Sequence, residues 1–240
     1  MTTTSTVALI TGASQGLGLH IARLYAQRGV GLILTARGRE QLDQAAHELA
    51  QTTDVVALPG DVADPMHAER LVATGLRYFG HIDVLINNAS ELGPSPMPQL
   101  ETLRAPDLER ILQVNVVAPL RLIQLVLPGM RSRGDGLIVN VTSDAGVQAY
   151  PTWGGYGSSK AALEHLSRVL AAELEGTGVR VFVVDPGDMN TAMHQAAEPG
   201  IDLSQLPTPD AVAPAFVELL DNRTSPFGRF EAQRLVSAPA

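Results

Sequence analysis

Cysteine is absent from all 240 residues of the chain. This absence excludes disulfide bonds, a thiolate nucleophile, an iron–sulfur cluster and cysteine-ligated zinc. Long apolar runs are missing as well, since none approaches the roughly 18 residues of a membrane-spanning segment. The first residues, MTTTSTVALITG, have no basic region ahead of their short apolar run and do not resemble a signal peptide. We therefore expect a cytoplasmic protein without a membrane partner.

An excess of positive charge is also lacking. The formal net charge is −8, which argues against nucleic acid or an anionic membrane as a partner. The six histidines show no metal-ligand spacing, so no metal site is expected. Lysine is nearly absent, because sixteen arginines accompany the single Lys160. A sequence that uses arginine everywhere else keeps this one primary amine, and its surroundings must supply the reason.

Apolar residues are plentiful and fall into short runs. They make up 45% of the chain, which is sufficient for one large core. Six runs rich in β-branched residues are nearly continuous rather than alternating, as expected for strands buried on both faces of a parallel sheet. The runs cover residues 7–11, 30–35, 55–58, 82–87, 136–143 and 179–185.

Helical patterns separate these runs. One helix is predicted from the N-cap Asp64, with Pro65 at its first position, to the terminating Gly80. Its expected apolar face consists of Leu71, Val72, Leu76 and Phe79. The alternation of strands and helices predicts an α/β fold with a doubly wound parallel sheet and helices on both faces. No linker or repeat interrupts it, so residues 1–240 are expected to form a single domain.

The first run leads directly into TGASQGLG, residues 11–18. With a strand, a glycine turn and then a helix, an α/β protein presents a helix N-terminus to a phosphate group. Glycine permits positive φ and the close approach of backbone N–H groups to pyrophosphate oxygens. The spacing is G-x-x-x-G-x-G rather than the commoner G-x-G-x-x-G, so this motif alone also fits a glycine-rich loop without a ligand.

A different enzyme class uses a similar turn. GASQG at residues 12–16 fits G-x-S-x-G, the nucleophile elbow of α/β-hydrolases, with Ser14 as the nucleophile. Only one strand precedes Ser14, and no HGGG-like segment is present to supply oxyanion-hole donors. The downstream residues His165 and His194 have no local signature of a catalytic base. The hydrolase interpretation is therefore weaker than the dinucleotide one.

Further motifs occur in register, each at the end of a predicted strand or in the helix after it. They are NNA at 87–89, Asn115, Ser143, Tyr156-x-x-x-Lys160 and Pro186-Gly187. Together with TGASQGLG, this series resembles the short-chain dehydrogenase/reductase family, in its single-domain branch, over essentially the whole chain. The resemblance implies a Rossmann-type fold and an oxidoreductase that interconverts a carbonyl and an alcohol by hydride transfer.

The resemblance implies that Tyr156 is the acid/base that exchanges a proton with the substrate oxygen. Free tyrosine has a pKa of about 10, so positive charge from Lys160 and from the oxidised nicotinamide ring is expected to lower it. In the family the lysine also hydrogen-bonds the nicotinamide ribose, which suits a compact ammonium better than a guanidinium fork. An ordinary surface pair at i and i+4 of one helix is the alternative.

Two further residues complete the implied catalytic set. Ser143 is expected to hydrogen-bond the substrate carbonyl beside the phenol, although a serine that merely ends a strand is common. Asn115 lies in an otherwise apolar helical segment, where a polar side chain needs partners. The family assigns to it a water linked to Lys160 in a proton relay, and a bond to its own backbone is the alternative.

Cofactor contacts are implied along the strand ends. The set consists of Gly12, Ser14, Gln15, Gly16, Leu17 and Gly18 in the glycine loop, Asp61 and Val62 at the adenine, Asn88, Ala89 and Ser90 along the ribose, Tyr156 and Lys160 at the nicotinamide ribose, and Pro186, Gly187 and Thr191 at the carboxamide. Ser90 departs from the glycine that is common in the family, so its side chain either crowds the nicotinamide pocket or offers a hydrogen bond to substrate.

Arg37 bears on the choice between the two nicotinamide cofactors. It follows the second strand, with Arg39 close behind, and no Asp or Glu lies between Gly12 and Glu40. An acidic side chain here accepts the ribose 2′-hydroxyl of NAD, whereas an arginine suits the 2′-phosphate of NADP. NADP(H) is therefore favoured over NAD(H), with an NAD-preferring alcohol dehydrogenase of the same family as the alternative.

A small carbonyl or alcohol compound is the expected substrate. A non-catalytic nucleotide sensor on the same fold is the remaining alternative, but it would be expected to lose Tyr156 or Lys160.

Two long helices, 107–130 and 156–174, carry more apolar surface than one sheet face needs, so a homodimer or homotetramer is expected. The expected substrate lining is Ser90, Glu91, Leu92, Asp144, Tyr150, Trp153, Asp188, Met189, Met193 and His194.

Overall fold

A computed structural model describes residues 6–222 and 224–237 of the chain. The seven strands of these residues are all parallel and form one sheet in the order β3-β2-β1-β4-β5-β6-β7. This architecture confirms the predicted α/β class. The strands are β1 (Val7–Thr11), β2 (Gly31–Thr35), β3 (Val55–Ala57), β4 (Val84–Asn87), β5 (Gly136–Val141), β6 (Val179–Asp185) and β7 (Phe227–Glu231).

Helices cover both faces of the sheet. Side chains of β1 alternate between two apolar layers, with Ala8 and Ile10 in one layer and Val7 and Leu9 in the other. Because both faces are covered, β1, β2, β4, β5 and β6 are buried throughout and appear as continuous apolar runs. The helices are α1 (Gly16–Gln27), α2 (Arg39–Leu49), α3 (Pro65–Phe79), α4 (Ala105–Leu112), α5 (Ala118–Arg133), α6 (Gly154–Glu173), α7 (Ala192–Ala197), α8 (Pro209–Val212), α9 (Pro214–Asp221) and α10 (Ala232–Ser237).

The predicted boundaries of α3 are confirmed. The Asp64 side chain accepts a hydrogen bond from the backbone N–H of Met66, and Gly80 ends the helix in the left-handed conformation, with φ of 82°. The predicted apolar face is only partly right. Leu71 and Val72 are buried, whereas Leu76 is 39% exposed and does not belong to the buried face of α3.

The long helix expected over 107–130 is interrupted in its middle. Residues Gln113–Val117 form a π-helical turn between α4 and α5, and this turn contains Asn115. Single π-helical turns inside α-helices occur frequently at functional sites. By length and composition alone the stretch Ala105–Arg133 is apolar enough to cross a membrane, and just under half of its most apolar part is buried. A core helix has the same composition, and α5 packs against the sheet.

Strand β7 has no counterpart among the predicted strands. Its sequence FGRFE contains no β-branched residue and is only half-buried, so it lacks the apolar run that indicated the other six. Its pairing with β6 places Arg229 opposite Val183 and Glu231 opposite Asp185. The missed strand therefore brings an arginine beside the carboxyl end of β6.

Helix α6 packs unusually close to the short 3-10 turn Asp144–Gly146 that follows β5. A Cβ atom at Gly157 would lie 2.5 Å from the carbonyl oxygen of Ala145, and one at Gly146 would lie 3.1 Å from the Cβ of Lys160. These two glycines therefore allow the end of β5 and the helix with Tyr156 to meet.

Gly157→Ala is expected to destabilise the protein by about 1–3 kcal/mol, because the added methyl group collides with a backbone oxygen that cannot rotate away. Gly129→Ala in α5 is the matched control, since only the flexible Arg133 guanidinium lies near its Cβ. There the usual helix preference of alanine should stabilise by about 0.5–1 kcal/mol. Urea unfolding of both variants measures the difference, and stabilisation by both substitutions would contradict the close contact.

Candidate active site

A cavity of about 900 Å³ opens at the carboxyl ends of the central strands. Its walls come from the loops after β1, β2, β3, β4, β5 and β6 together with the first turns of α1 and α6. In a doubly wound sheet this edge is where ligands bind, because loops from adjacent strands diverge there. The sequence motifs, scattered along the chain, meet around this cavity.

The glycine loop forms one wall. Gly12 and Gly16 have φ of 67° and 56°, which is the left-handed region that glycine adopts without strain. Asn88 braces the loop, because its Nδ2 donates to the carbonyl oxygens of Thr11 and Gly12 at 2.9 and 3.2 Å. Gln15 precedes α1 without a capping side-chain bond, so the first backbone N–H groups of α1 are available to an anion.

Gly18 lies outside the cavity wall, in contrast to the prediction that it contacts cofactor. A Cβ there would lie 2.4 Å from the carbonyl oxygen of Gly12, so Gly18 permits close packing of α1 against the loop. Ser14 lines the cavity, but in the described part of the chain no hydrogen bond joins it to a histidine. His165 is exposed, and His194 faces Glu198 at 3.3 Å.

Lys160 is buried, with 2% of its surface exposed, so the surface-pair alternative is wrong for this residue. Its Nζ donates to the carbonyl oxygen of Val141 at 2.9 Å and lies 5.3 Å from the centre of the Tyr156 ring. Burial lowers the pKa of Lys160 to about 8, because an ammonium group loses its hydration inside the protein. The amine still carries its charge near neutral pH.

Tyr156 points into the same cavity. Burial is the largest cause that raises the pKa of its phenol, and the charges of Asp185 and Asp144 act in the same direction. The hydroxyl groups of Ser90 and Ser143 oppose this by hydrogen bonding. The expected lowering by Lys160 is not found in the protein alone, where burial and two carboxylates raise the pKa of the phenol. The phenol holds its proton at neutral pH.

Ser143 is hydrogen-bonded on both sides. Its Oγ donates to Asp144 Oδ1 at 3.0 Å and accepts from the N–H of Ala145 at 3.2 Å. The Tyr150 hydroxyl donates to the other oxygen of Asp144 at 2.6 Å. Tyr150 itself lies outside the cavity wall and is 44% exposed, so it was wrongly included in the expected substrate lining. The other nine residues of that set line the cavity.

Asn115 lies behind the cavity wall rather than in it. Its side chain is bonded to the backbone N–H and carbonyl of Glu91 at 2.7 and 2.9 Å, to Ser90 Oγ at 3.2 Å and to Ser159 Oγ at 2.9 Å. These bonds join the loop after β4 to α6, where Ser159 adjoins Lys160. None of them goes to Lys160 or to the backbone of Asn115 itself, so Asn115 positions two walls of the cavity.

Two arginines lie at the far end of the cavity, beyond the glycine loop. Arg37 is exposed and faces Glu91 at 3.2 Å, whereas Arg110 faces Asp61 at 2.6 Å. Burial alone would raise the pKa of Asp61, but hydrogen bonds from the Ala63 N–H and from Arg110 hold it below its ordinary value. Arg39, which the sequence suggested as a helper of Arg37, begins α2 and does not line the cavity.

The structure brings nearly all of the predicted site together. Cavity-lining positions among them are Gly12, Ser14, Gln15, Gly16, Leu17, Arg37, Asp61, Val62, Asn88, Ala89, Ser90, Ser143, Tyr156, Lys160, Pro186, Gly187 and Thr191. Sequence reasoning missed His20, Gln41, Gly60, Val141 and Thr142, which also line it. No motif marks these five, because neighbouring strand ends and helix turns bring them to the cavity. In residues 6–222 and 224–237, no group of three or more His, Asp or Glu side chains is arranged to hold a metal ion.

Comparison with known proteins gives consistent matches. The family model for short chain dehydrogenases matches residues 6–202. The chain is 36% identical to a 2-(R)-hydroxypropyl-CoM dehydrogenase of Xanthobacter autotrophicus, over 80% of this chain and 77% of that one. It is 34% identical to the ketoacyl reductase HetN of a Nostoc species, over 93% and 78%.

A solved structure is similar over nearly its whole length. It is that of an alcohol dehydrogenase from Thermococcus sibiricus complexed with 5-hydroxy-NADP, with a TM-score of 0.84 and 31% identity, covering 98% of this chain and 99% of that one.

Burial of Lys160 should leave a signature in the pH dependence of stability. Its pKa falls from 10.5 to about 8 on folding, so between these values the unfolded chain binds a proton that the folded chain does not. The contribution of Lys160 to the free energy of unfolding therefore rises with pH across this window, and its full penalty is present below it. Lys160→Met removes the penalty and should stabilise the protein near pH 7 by about 1–3 kcal/mol, despite the loss of one hydrogen bond.

The measurement is urea unfolding of the wild type and of Lys160→Met at a series of pH values. The difference in free energy of unfolding between the two proteins should become smaller as the pH rises toward 10.5. Other ionisable groups are common to both proteins, so their titration cancels in the difference. A gap that stays constant with pH would contradict the buried ammonium.

Proposed function

Since the chain belongs to the short-chain dehydrogenase family of oxidoreductases, we propose that it is an NADP(H)-dependent enzyme that interconverts a carbonyl and an alcohol, with Tyr156 as the proton donor and acceptor. One observation carries the proposal. Tyr156, Ser143 and the buried Lys160 line one cavity with the glycine loop. A binding protein would have no need to bury its single lysine beside a tyrosine.

Carbonyl reduction needs a proton at the substrate oxygen. The phenol of Tyr156 donates it, and the raised pKa keeps this proton in place until the oxygen gains negative charge. In the protein alone the Ser143 hydroxyl donates to Asp144; with substrate bound it would turn to the same oxygen and orient the carbonyl. When bound, the nicotinamide cofactor supplies or accepts the hydride. In the reverse direction the phenolate form accepts the proton of the alcohol, which the positive charge of Lys160 favours.

The residues present fit a dinucleotide. The two left-handed glycines and the uncapped N-terminus of α1 provide backbone N–H donors for a pyrophosphate. Lys160 uses one of its three donors on Val141, so two remain for ribose hydroxyls. Pro186 and Gly187 line the opposite wall, where the carboxamide end of nicotinamide is proposed to bind.

Arg37 is the basis for preferring NADP(H). Its guanidinium is exposed at the cavity end, where a bidentate contact to a 2′-phosphate suits an arginine. The similar alcohol dehydrogenase of Thermococcus sibiricus is complexed with 5-hydroxy-NADP, which supports the same choice. In the protein alone Arg37 pairs with the carboxylate of Glu91. A bound 2′-phosphate would take the place of that carboxylate as the acceptor.

Further properties are proposed at a coarser level. The substrate is a small carbonyl or alcohol compound, because the cavity is shared with the cofactor. We propose a homodimer or homotetramer in which α5 and α6 pair across a two-fold axis. Val169 on α6 is 46% exposed, and Leu112, Val116 and Leu120 of the preceding helical stretch are only partly buried. The cytoplasmic location remains a prediction.

Replacing Arg37 by Ala should weaken NADPH binding by about tenfold or more, because one bidentate charged contact is worth about 1.5–3 kcal/mol. NADH affinity should change little. Arg39→Ala is the matched control, since it removes the same charge from a neighbouring position outside the cavity. Fluorescence titration of both cofactors measures the effect. Equal NADPH and NADH affinity in the wild type would support the NAD-preferring alternative.

Tyr156→Phe should lower the kcat of carbonyl reduction by a factor of about 10²–10⁴, because it deletes only the proton donor. NADPH affinity should stay close to that of the wild type. Turnover is followed by NADPH absorbance with a panel of small ketones and aldehydes. Near-normal turnover in this variant would rule out the mechanism, and ester hydrolysis that is lost in Ser14→Ala would then support the hydrolase alternative.

A further inference from the structure

An ion cluster with two buried carboxylates adjoins the proposed active site, and two of its members line the cavity. We call Arg229, Glu164, Asp185 and Thr142 the Arg229 cluster. Arg229 Nε donates to Glu164 Oε1 at 3.1 Å, and its terminal NH2 donates to Asp185 Oδ2 at 3.3 Å. Thr142 Oγ1 donates to the same Glu164 oxygen at 2.9 Å. Glu164, Asp185 and Thr142 are 2%, 5% and 1% exposed, whereas the Arg229 side chain is 26% exposed, so the acceptors are buried and the guanidinium is partly solvated.

Each partner in the cluster adjoins a residue of the proposed site. Thr142 precedes Ser143 at the end of β5, and Glu164 lies one turn after Lys160 on α6. Asp185 precedes Pro186 and Gly187, and its Oδ1 accepts a hydrogen bond from the Gly187 N–H at 3.0 Å. Gly187 has φ of 71°, so this bond stabilises a turn of restricted geometry. One guanidinium therefore links the segments that hold Ser143, Lys160 and the turn at Gly187.

The cluster also sets the charge behind Tyr156. The ionisable groups that face Tyr156 are Asp185 from β6, Asp144 from the 3-10 turn and Lys160 from its own helix. Burial raises the pKa of Asp185, and Arg229 acts against this rise. Arg168 is the only other cation facing Glu164 among the described residues; it is half-exposed and pairs at 3.2 Å. Asp185 pairs with Arg229 at 3.3 Å, so Arg229 is the cation that screens the Asp185 carboxylate.

We propose that Arg229 is a positioning residue for the proposed reaction. Arg229 holds the Gly187 turn against α6 and screens the charge of Asp185 from Tyr156. The proposal rests on the proposed function for its effect on turnover. Its effect on cofactor binding does not depend on which substrate is used. Arg229 lies on β7, outside every motif of the sequence, and reaches the site only through the pairing of β7 with β6.

The test compares Arg229→Gln, Arg229→Lys and the double variant Arg229→Gln/Asp185→Asn with the wild type. Arg168→Gln is the matched control, because it removes a contact of Glu164 but none of Asp185. Circular dichroism and thermal unfolding establish that each variant is folded. Three kinds of measurement follow: the affinities for NADPH and for 2′,5′-ADP, the kcat and KM of carbonyl reduction, and the pH profile of alcohol oxidation.

In Arg229→Gln we expect NADPH affinity to fall by about fivefold or more, and kcat by about tenfold with little change in KM, because the Gly187 turn and the phenol lose their alignment. Affinity for 2′,5′-ADP, which lacks the nicotinamide half, should stay within about twofold. The apparent pKa of the oxidation profile should move to higher pH by about half a unit or more, since Asp185 loses its counter-charge. The double variant, which removes both charges, should return the profile toward that of the wild type.

Arg229→Lys keeps the charge but cannot bridge two carboxylates as a guanidinium does. Its pH profile should match that of the wild type, while kcat and NADPH affinity fall. If Arg229→Gln fails to fold, Arg229→Lys still tests whether the guanidinium of Arg229 positions the Gly187 turn. Arg168→Gln should match the wild type in every measurement.

A folded Arg229→Gln with wild-type NADPH affinity and an unmoved pH profile would overturn the proposal, as would equal effects from Arg168→Gln. A parallel loss of affinity for 2′,5′-ADP would also overturn it, since the damage would then be general. Failure of the proposed function is a separate result. In that case the wild type reduces no carbonyl compound, while the comparison of NADPH with 2′,5′-ADP still decides whether Arg229 holds the turn.

Discussion

Seven parallel strands end at one edge of one sheet, and the whole site depends on this shared direction. The ends of β1 to β6 each deliver a loop to the same cavity, so residues as distant in sequence as Gly12, Ser143 and Gly187 line it together. Parallel strands require helical crossovers, and these place the N-termini of α1 and α6 at the same edge. The N-terminus of α1 presents unpaired N–H groups, and the first turn of α6 presents Tyr156.

Polar and charged side chains at this edge are held in buried contacts. The loop after β4 is held by Asn115, and the end of β6 by Arg229, each through hydrogen bonds to groups with little access to water. Buried ionic groups are costly unless paired, so these contacts constrain where the adjoining loops lie. Lys160 is the exception, since its ammonium has a carbonyl oxygen rather than a carboxylate as its partner. The resulting fall of its pKa marks a residue that is kept despite its effect on stability.

The protonation of Tyr156 follows from the same arrangement. Two nearby carboxylates and burial favour the neutral phenol, whereas Lys160 is the only cation close to it among the described residues. The site alone is therefore prepared to donate a proton rather than to accept one. In the proposed reaction, acceptance would require more positive charge than the protein provides, and an oxidised, positively charged nicotinamide would supply it.

The fold class and the boundaries of α3 could be predicted from the sequence alone, and the family resemblance implied most of the cavity wall. Continuous β-branched runs, the Asp64 cap and the glycine loop are local signals whose physical causes act over a few residues. Sequence reasoning missed β7, the π-helical turn at Asn115 and the position of Gly18, because each depends on what packs against it. Whether Lys160 is buried, whether the pKa of Tyr156 rises or falls, and which strand Arg229 joins were decided only by the tertiary structure. Burial and Coulombic interactions depend on distances across the fold, and residues far apart in the sequence set those distances.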